Sequence, residues 1–83
     1  MLEAFIRGMF QAVVNHEEDV RVECSQEPEA YLCRVWVHPD DIGLALGKGG
    51  HIIDAIRTVS RAAGMKRQLR VRVDFMRFDK EAA

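Results

Sequence analysis

The chain has 83 residues, of which 48% are apolar and 30% charged, a composition typical of a globular fold with one core. No apolar run approaches the ~20 residues that cross a bilayer, and the N-terminus lacks a signal-peptide pattern, so we expect a cytoplasmic protein without membrane contact. The net charge of −1 divides unevenly, because residues 1–42 carry three basic and nine acidic side chains and residues 43–83 carry nine basic and four acidic ones. Such a split favours a positive face for a polyanion, although an unevenly charged solvated surface is the simpler explanation of this feature alone.

The first half of the chain predicts one helix and a hairpin. Apolar residues recur at three- and four-residue steps from Leu2 to about Val14, which is typical of an amphipathic helix. Apolar and charged residues then alternate over Val20–Cys24 and again over Tyr31–Val37, with turn-forming residues between the two runs. This spacing favours two antiparallel strands.

Two helices are predicted next. The first begins at His38–Asp41, where a proline and two acids suit a first helical turn, and it stops at Gly47. The second runs from about His51 to Ala63, with one apolar and one polar half and with Gly64 placed as a C-terminal cap.

A third strand is predicted over Leu69–Phe75 after a short basic loop, and residues from about 79 to 83 have the composition of a tail. The order is therefore helix, strand, strand, helix, helix, strand, in a single domain over residues 1–83. Because two helices connect the last two strands, those strands should be parallel. The pattern predicts a two-layer α+β fold with a three-stranded mixed sheet and helices on one face.

The stretch Gly47-Lys48-Gly49-Gly50 between the two helices is the most informative motif. Its glycines allow positive φ angles, the second helix directs the positive end of its dipole to the same place, and Lys48 adds a cation, which together suit a phosphate. A lone G-x-x-G is more often a plain turn. The glycine loops that bind dinucleotides or nucleoside triphosphates follow a strand, whereas this loop follows a helix.

The whole chain resembles the KH family of type II, and specifically the bacterial single-domain RNA-binding KhpA group. Three stretches are similar to that family: Val37–Gly43 before the loop, Leu46–Gly50 at the apolar-G-x-x-G signature, and Asp54–Val59 on the following helix. The resemblance implies that about four unpaired nucleotides bind in a groove, with their backbone at the G-x-x-G loop.

Carried over by position, the resemblance implies three groups of RNA-binding residues. The loop group comprises Gly47, Lys48, Gly49, Gly50 and the following His51. The apolar floor comprises Ile42, Leu46 and Ile53, which fit the core equally well. A basic border comprises Arg57, Arg61, Lys66 and Arg67, and for each of the two helical arginines a solvated surface position explains the residue as well.

The family also implies self-association as a homodimer and pairing with a larger KH-containing protein, KhpB. Relatives often have two basic residues at the loop, whereas Gly49 and His51 stand here, so we expect weak binding of low sequence specificity, as in an RNA chaperone or post-transcriptional regulator. Two alternatives share the fold: a protein-interaction module used mainly to dimerise, and a ribosome-assembly factor.

Other polar residues predict no enzyme, cofactor or metal site. No serine or cysteine is spaced with a histidine and an acid as a nucleophilic set. His38, Asp40 and Asp41 are explained by the helix start. Cys24 and Cys33 match neither a redox pair nor a zinc motif, so we expect isolated, inert, reduced thiols. Trp36 lies on the outer strand face, either partly covered or as a contact surface.

Overall fold

The computed structural model describes residues 1–76, in which three α-helices lie on one face of a three-stranded sheet. The elements are α1 (Leu2–Gln11), β1 (Arg21–Gln26), β2 (Tyr31–Trp36), α2 (Ile42–Leu46), α3 (His51–Lys66) and β3 (Val71–Met76). Short 3-10 turns lie at Glu17–Asp19, Pro39–Asp41 and Lys48–Gly50. The predicted tail at about 79–83 lies outside the described residues.

The sheet has the order β1-β2-β3, with β1 antiparallel to β2 and β2 parallel to β3. The helices α2 and α3 connect the two parallel strands, because a parallel pair needs a long crossover. The predicted element order and the predicted α+β fold with a mixed sheet are confirmed.

The core lies between the sheet and the helices. On the helical side, Ile6 and Phe10 of α1 are fully buried, and the ring of Phe10 stacks on that of Phe75 with centroids 6.1 Å apart. On the outer sheet face, Trp36 is half-buried and the guanidinium carbon of Arg21 lies 4.3 Å from its ring centroid. Trp36 is therefore partly covered.

No helix within residues 1–76 is long and apolar enough to span a membrane.

Two predicted helix ends are wrong. The first helix ends at Gln11 rather than near Val14. The last helix continues through Gly64 to Lys66, and the residue with a positive φ after it is Gln68, at 59°. Gly64 is buried against β3, where a Cβ would overlap the Val71 side chain and lie 2.9 Å from the Leu69 carbonyl oxygen. The glycine is thus needed for close helix–strand packing rather than for a cap.

The two cysteines are not isolated. Cys24 lies opposite Cys33 in the antiparallel pairing of β1 with β2, and their sulfur atoms are 2.8 Å apart. Their separation of nine positions gives no recognisable motif, because only the hairpin register brings them together.

Candidate nucleic-acid interface

The glycine loop is a tight turn between α2 and α3. Gly47, Gly49 and Gly50 have φ angles of 76°, 65° and 80°, which side-chain-bearing residues rarely adopt. At Gly47 a Cβ would also lie 2.8 Å from the backbone nitrogen of Ile52 and overlap its side chain. This turn leaves Lys48 exposed at its tip and ends at Gly50, the N-cap of α3.

Several backbone donors of the loop are used inside the turn itself. The N–H of Gly47 donates to the Gly43 carbonyl at 2.9 Å, that of Gly50 donates to the Gly47 carbonyl at 3.0 Å, and that of His51 donates to the Lys48 carbonyl. The Lys48 ammonium makes no ion pair or hydrogen bond with residues 1–76. The loop therefore offers an anion the positive end of a 16-residue helix and a cation that no group within residues 1–76 neutralises.

The three floor residues have different surroundings. Ile53 is only 4% exposed and belongs to the core. Ile42 and Leu46 are half-buried and pack against the same core, so part of each side chain still faces solvent beside the loop. Of the three floor residues, these two still offer apolar surface to a ligand.

A second basic surface is a groove beside α3. It lies between α3 and β3 and has a volume of about 520 Å³. Arg57 and Arg61 line its helix side, and Arg70 and Arg72 line its strand side. Arg57 donates from Nε to the Val73 carbonyl at 3.1 Å, so this side chain lies across the edge of the sheet.

Sequence reasoning missed the two strand-side arginines. Arg70 and Arg72 occupy outward positions of the predicted strand Leu69–Phe75, a pattern that by itself indicates only a solvated face. In the structure, Arg72 is engaged by Asp74 at 3.0 Å, whereas Arg61 and Arg70 are exposed and make no ion pair within residues 1–76. The excess of arginine over acidic residues in the last strand was the sequence signal that could have indicated them.

Lys66 and Arg67 lie elsewhere. They lie at the C-terminal end of α3. At a rise of about 1.5 Å per residue, this end is roughly 22 Å from His51, the first residue of the helix. There they border a cleft with Leu2 and Phe5, and the Arg67 guanidinium contacts the Met1 sulfur. The structure does not bring these two residues to the loop.

The two acids at the start of α2 have different surroundings. Asp40 is exposed, and its backbone N–H donates to the His38 imidazole at 3.0 Å. Asp41 is 1% exposed and accepts from the backbone N–H groups of Asn15 at 3.2 Å and His16 at 2.7 Å, and from the His16 imidazole at 2.9 Å. Asp41 thus joins the segment after α1 to α2.

Comparison with known proteins gives one consistent result. The family model described as the KH domain of KhpA and KhpB matches residues 3–75. A protein of Halalkalibacterium halodurans named RNA-binding protein KhpA is 35% identical over 75 residues, which cover 90% of this chain and 99% of the relative. Proteins with the same name from Streptomyces coelicolor and Clostridium perfringens are 34% and 36% identical, over 95% and 90% of this chain and 96% and 100% of theirs.

Proposed function

Since this chain belongs to the KhpA/KhpB family of KH domains, we propose that it binds single-stranded RNA, with the sugar-phosphate backbone at Gly47–Gly50. The observation that supports this most directly is the loop geometry, in which three glycines with positive φ present Lys48 beside the first turn of α3. The proposed role is non-catalytic, as an RNA chaperone or post-transcriptional regulator.

The proposed RNA path leads from the loop along α3 to the edge of β3. His51 and Arg57 follow Lys48 along α3, and Arg61 and Arg70 line the far part of the groove with guanidinium groups that make no ion pair within residues 1–76. Phosphates and sugars fix the position of an RNA strand without reading its sequence. Lys66 and Arg67 are left out of this path because they line a different cleft, with Leu2 and Phe5 of α1.

The same groove supports the expectation of low affinity. Acidic groups lie among its arginines, since an Asp54 oxygen is 3.8 Å from Arg57 and Asp74 bonds Arg72. Glu29 also lines the groove. These carboxylates reduce the positive potential, and no pair of aromatic side chains lines the groove within residues 1–76 to stack on bases. Weak, sequence-tolerant binding follows.

Reversing the charge of Lys48 tests the loop. Lys48→Asp keeps all three glycines, which matters because Gly49 needs its φ of 65°. We expect at least a tenfold loss of affinity for a labelled single-stranded RNA by fluorescence anisotropy, since like charges at close range repel by about 1 kcal/mol even in water. Lys48→Gln should lose only about threefold.

Lys66→Asp is the matched control for this experiment. It makes the same change on the same helix, roughly 22 Å from the loop. Circular dichroism should show all three variants folded, and Lys66→Asp should bind RNA within about twofold of the unmodified chain. Equal losses in Lys48→Asp and Lys66→Asp would mean that only overall charge matters, and an unchanged affinity in folded Lys48→Asp would remove the loop from the binding site.

A second proposed function is protein pairing, as a homodimer or with KhpB. An apolar groove of about 280 Å³ lies between α1 and α3, lined by side chains that include Met9, Val13, Ile52 and Val59. Val59 is 44% exposed and extends this groove into a contiguous apolar patch, the kind of surface that marks a protein–protein contact. The ribosome-assembly alternative shares the RNA loop and differs in requiring structured RNA.

Sedimentation of Val59→Asp tests this pairing. Because Val59 is nearly half-exposed, the charge should not damage the core, and we expect a dimer at micromolar concentration to become a monomer. Thr58→Asp adds the same charge at the neighbouring exposed position and should leave the dimer intact. A monomer in the unmodified chain, or equal dissociation in both variants, would contradict pairing through this groove.

A further inference from the structure

The sulfur atoms of Cys24 and Cys33 lie 2.8 Å apart on the core side of the hairpin. The two residues are directly opposite each other, with Val22–Val35 and Gln26–Tyr31 as the neighbouring pairs on the same face. Both thiols are free. No metal-binding cluster within residues 1–76 includes either of them.

Pairing of this kind gives the separation that a disulfide requires. Residues opposite each other in an antiparallel ladder have Cα atoms about 4.5 to 5.5 Å apart, and disulfides span Cα separations of about 4.4 to 6.8 Å. A bond between these cysteines therefore needs rotation of the side chains without movement of either strand.

The two thiols differ in access. Cys33 is fully buried on the central strand, whereas Cys24 is half-buried on the edge strand β1. Burial, together with the hydrogen bond to Cys24, raises the pKa of Cys33 well above its usual range. A reagent from solvent therefore meets Cys24 first, and Cys33 is placed only to react with its neighbour.

We propose that Cys24 and Cys33 form an oxidisable dithiol that a peroxide converts to an intramolecular disulfide. The Cys24 sulfur attacks one peroxide oxygen, the O–O bond breaks, and the products are a sulfenic acid and water for hydrogen peroxide. The Cys33 sulfur then attacks the Cys24 sulfur and expels the sulfenic oxygen as a second water. Two thiols lose two electrons in total and one peroxide gains them. Two equivalents of a thiol, or one of a dithiol, restore the pair by exchange and leave as a disulfide.

The disulfide would fix β1 to β2. β1 is an edge strand with only β2 beside it, and a covalent bond across the pair restricts the unfolded chain far more than the folded one. We expect the oxidised protein to melt at least about 5 °C higher than the reduced protein.

Peptide mapping after treatment of the full chain with hydrogen peroxide tests the proposal. Trypsin cleaves after Arg21 and Arg34, so residues 22–34 form one peptide that contains both cysteines. An intramolecular disulfide makes this peptide lighter by two hydrogen atoms, blocks alkylation of both thiols, and is reversed by dithiothreitol. A disulfide between molecules gives a joined peptide of twice the mass and would overturn the proposal.

Two single variants test the order of reaction. In Cys33→Ala, Cys24 should still be oxidised and, with no neighbouring thiol, should be captured as a sulfenic acid by dimedone. In Cys24→Ser, the folded protein should protect Cys33 from peroxide at least tenfold relative to the urea-unfolded chain. Free thiols that persist in the folded unmodified protein, at peroxide doses that oxidise the unfolded chain, would exclude an oxidisable pair.

Discussion

The buried side chain of Asp41 links the segment after α1 to the start of α2. Its carboxylate accepts three hydrogen bonds from Asn15 and His16 and stands immediately before α2, the helix that ends at the loop. Local sequence identified it only as an acid in a first helical turn. Its partners are 25 and 26 positions away, and no local pattern predicts that a particular carboxylate will be buried among them.

The His16–Asp41 contact predicts a pH-dependent stability. The hydrogen bond to Asp41 raises the pKa of His16 above its ordinary value of 6.5. Burial alone would raise the pKa of Asp41, but the hydrogen bonds from the backbone and imidazole of His16 outweigh it and hold the pKa below its ordinary value of 3.8. The contribution of His16 is full below pH 6.5 and is lost as the pH rises through its raised pKa; that of Asp41 is lost as the pH falls below 3.8.

Thermal melting of His16→Gln across this range measures the contribution of the imidazole. The unmodified chain should melt several degrees above His16→Gln at about pH 5, and the gap should narrow above pH 6.5. His38→Gln is the control, because its ring stacks on His16 at 3.8 Å but does not contact Asp41 in the described structure. A gap between the unmodified chain and His16→Gln that stays constant to pH 9 would contradict a charged pair.

At the scale of single elements, two helical glycines should respond oppositely to alanine. Gly64→Ala should lower the melting temperature by roughly 10 °C, because its Cβ would overlap Val71 on β3. Gly8→Ala meets no atom within 4 Å on α1 and should stabilise the protein by about 0.5 to 1 kcal/mol. Similar changes in stability at both sites would mean that helix propensity alone determines the effect of alanine. They would also mean that α3 and β3 pack less closely than described.

The elements themselves were largely predictable, because the strands alternate and α3 has a clear apolar half. The ends of helices and the contacts between elements were harder to predict. A glycine at position 64 suggests a helix cap, and only its contact with β3 shows why the helix continues past it. For the proposed site, the loop followed from three glycines and Lys48. The groove did not, since pairing Arg61 with Arg70 requires the crossover geometry that brings α3 beside β3.

At the scale of the whole molecule, the net charge of −1 makes local charge decisive for RNA binding. The proposed path offers few cations among residues 1–76, so log affinity should fall with log salt at a shallow slope. We expect about 0.7 for each phosphate contact and two to five such contacts. Titrations of a single-stranded RNA between about 50 and 300 mM salt measure this slope. Arg61→Ala and Arg70→Ala should each reduce it by about 0.7, whereas an unchanged slope in both variants would remove the groove from the path.

Duplex RNA should compete poorly for the same site. A groove between a helix and a sheet edge admits unpaired bases, which a blunt duplex keeps stacked and paired. In competition with a labelled single strand, a duplex of equal length should need at least a tenfold higher concentration for half displacement. Equal competition would indicate recognition of duplex shape instead.

The position of Arg57 has a consequence for solubility. β3 is an edge strand, and edge strands present free backbone groups to which a strand of another molecule can add. By donating to the Val73 carbonyl, Arg57 occupies one of those groups and places a charge on the edge. Arg57, a residue on the proposed RNA path, thereby also opposes aggregation. Its replacement by a small apolar residue would therefore promote aggregation even in a cell that lacked the RNA.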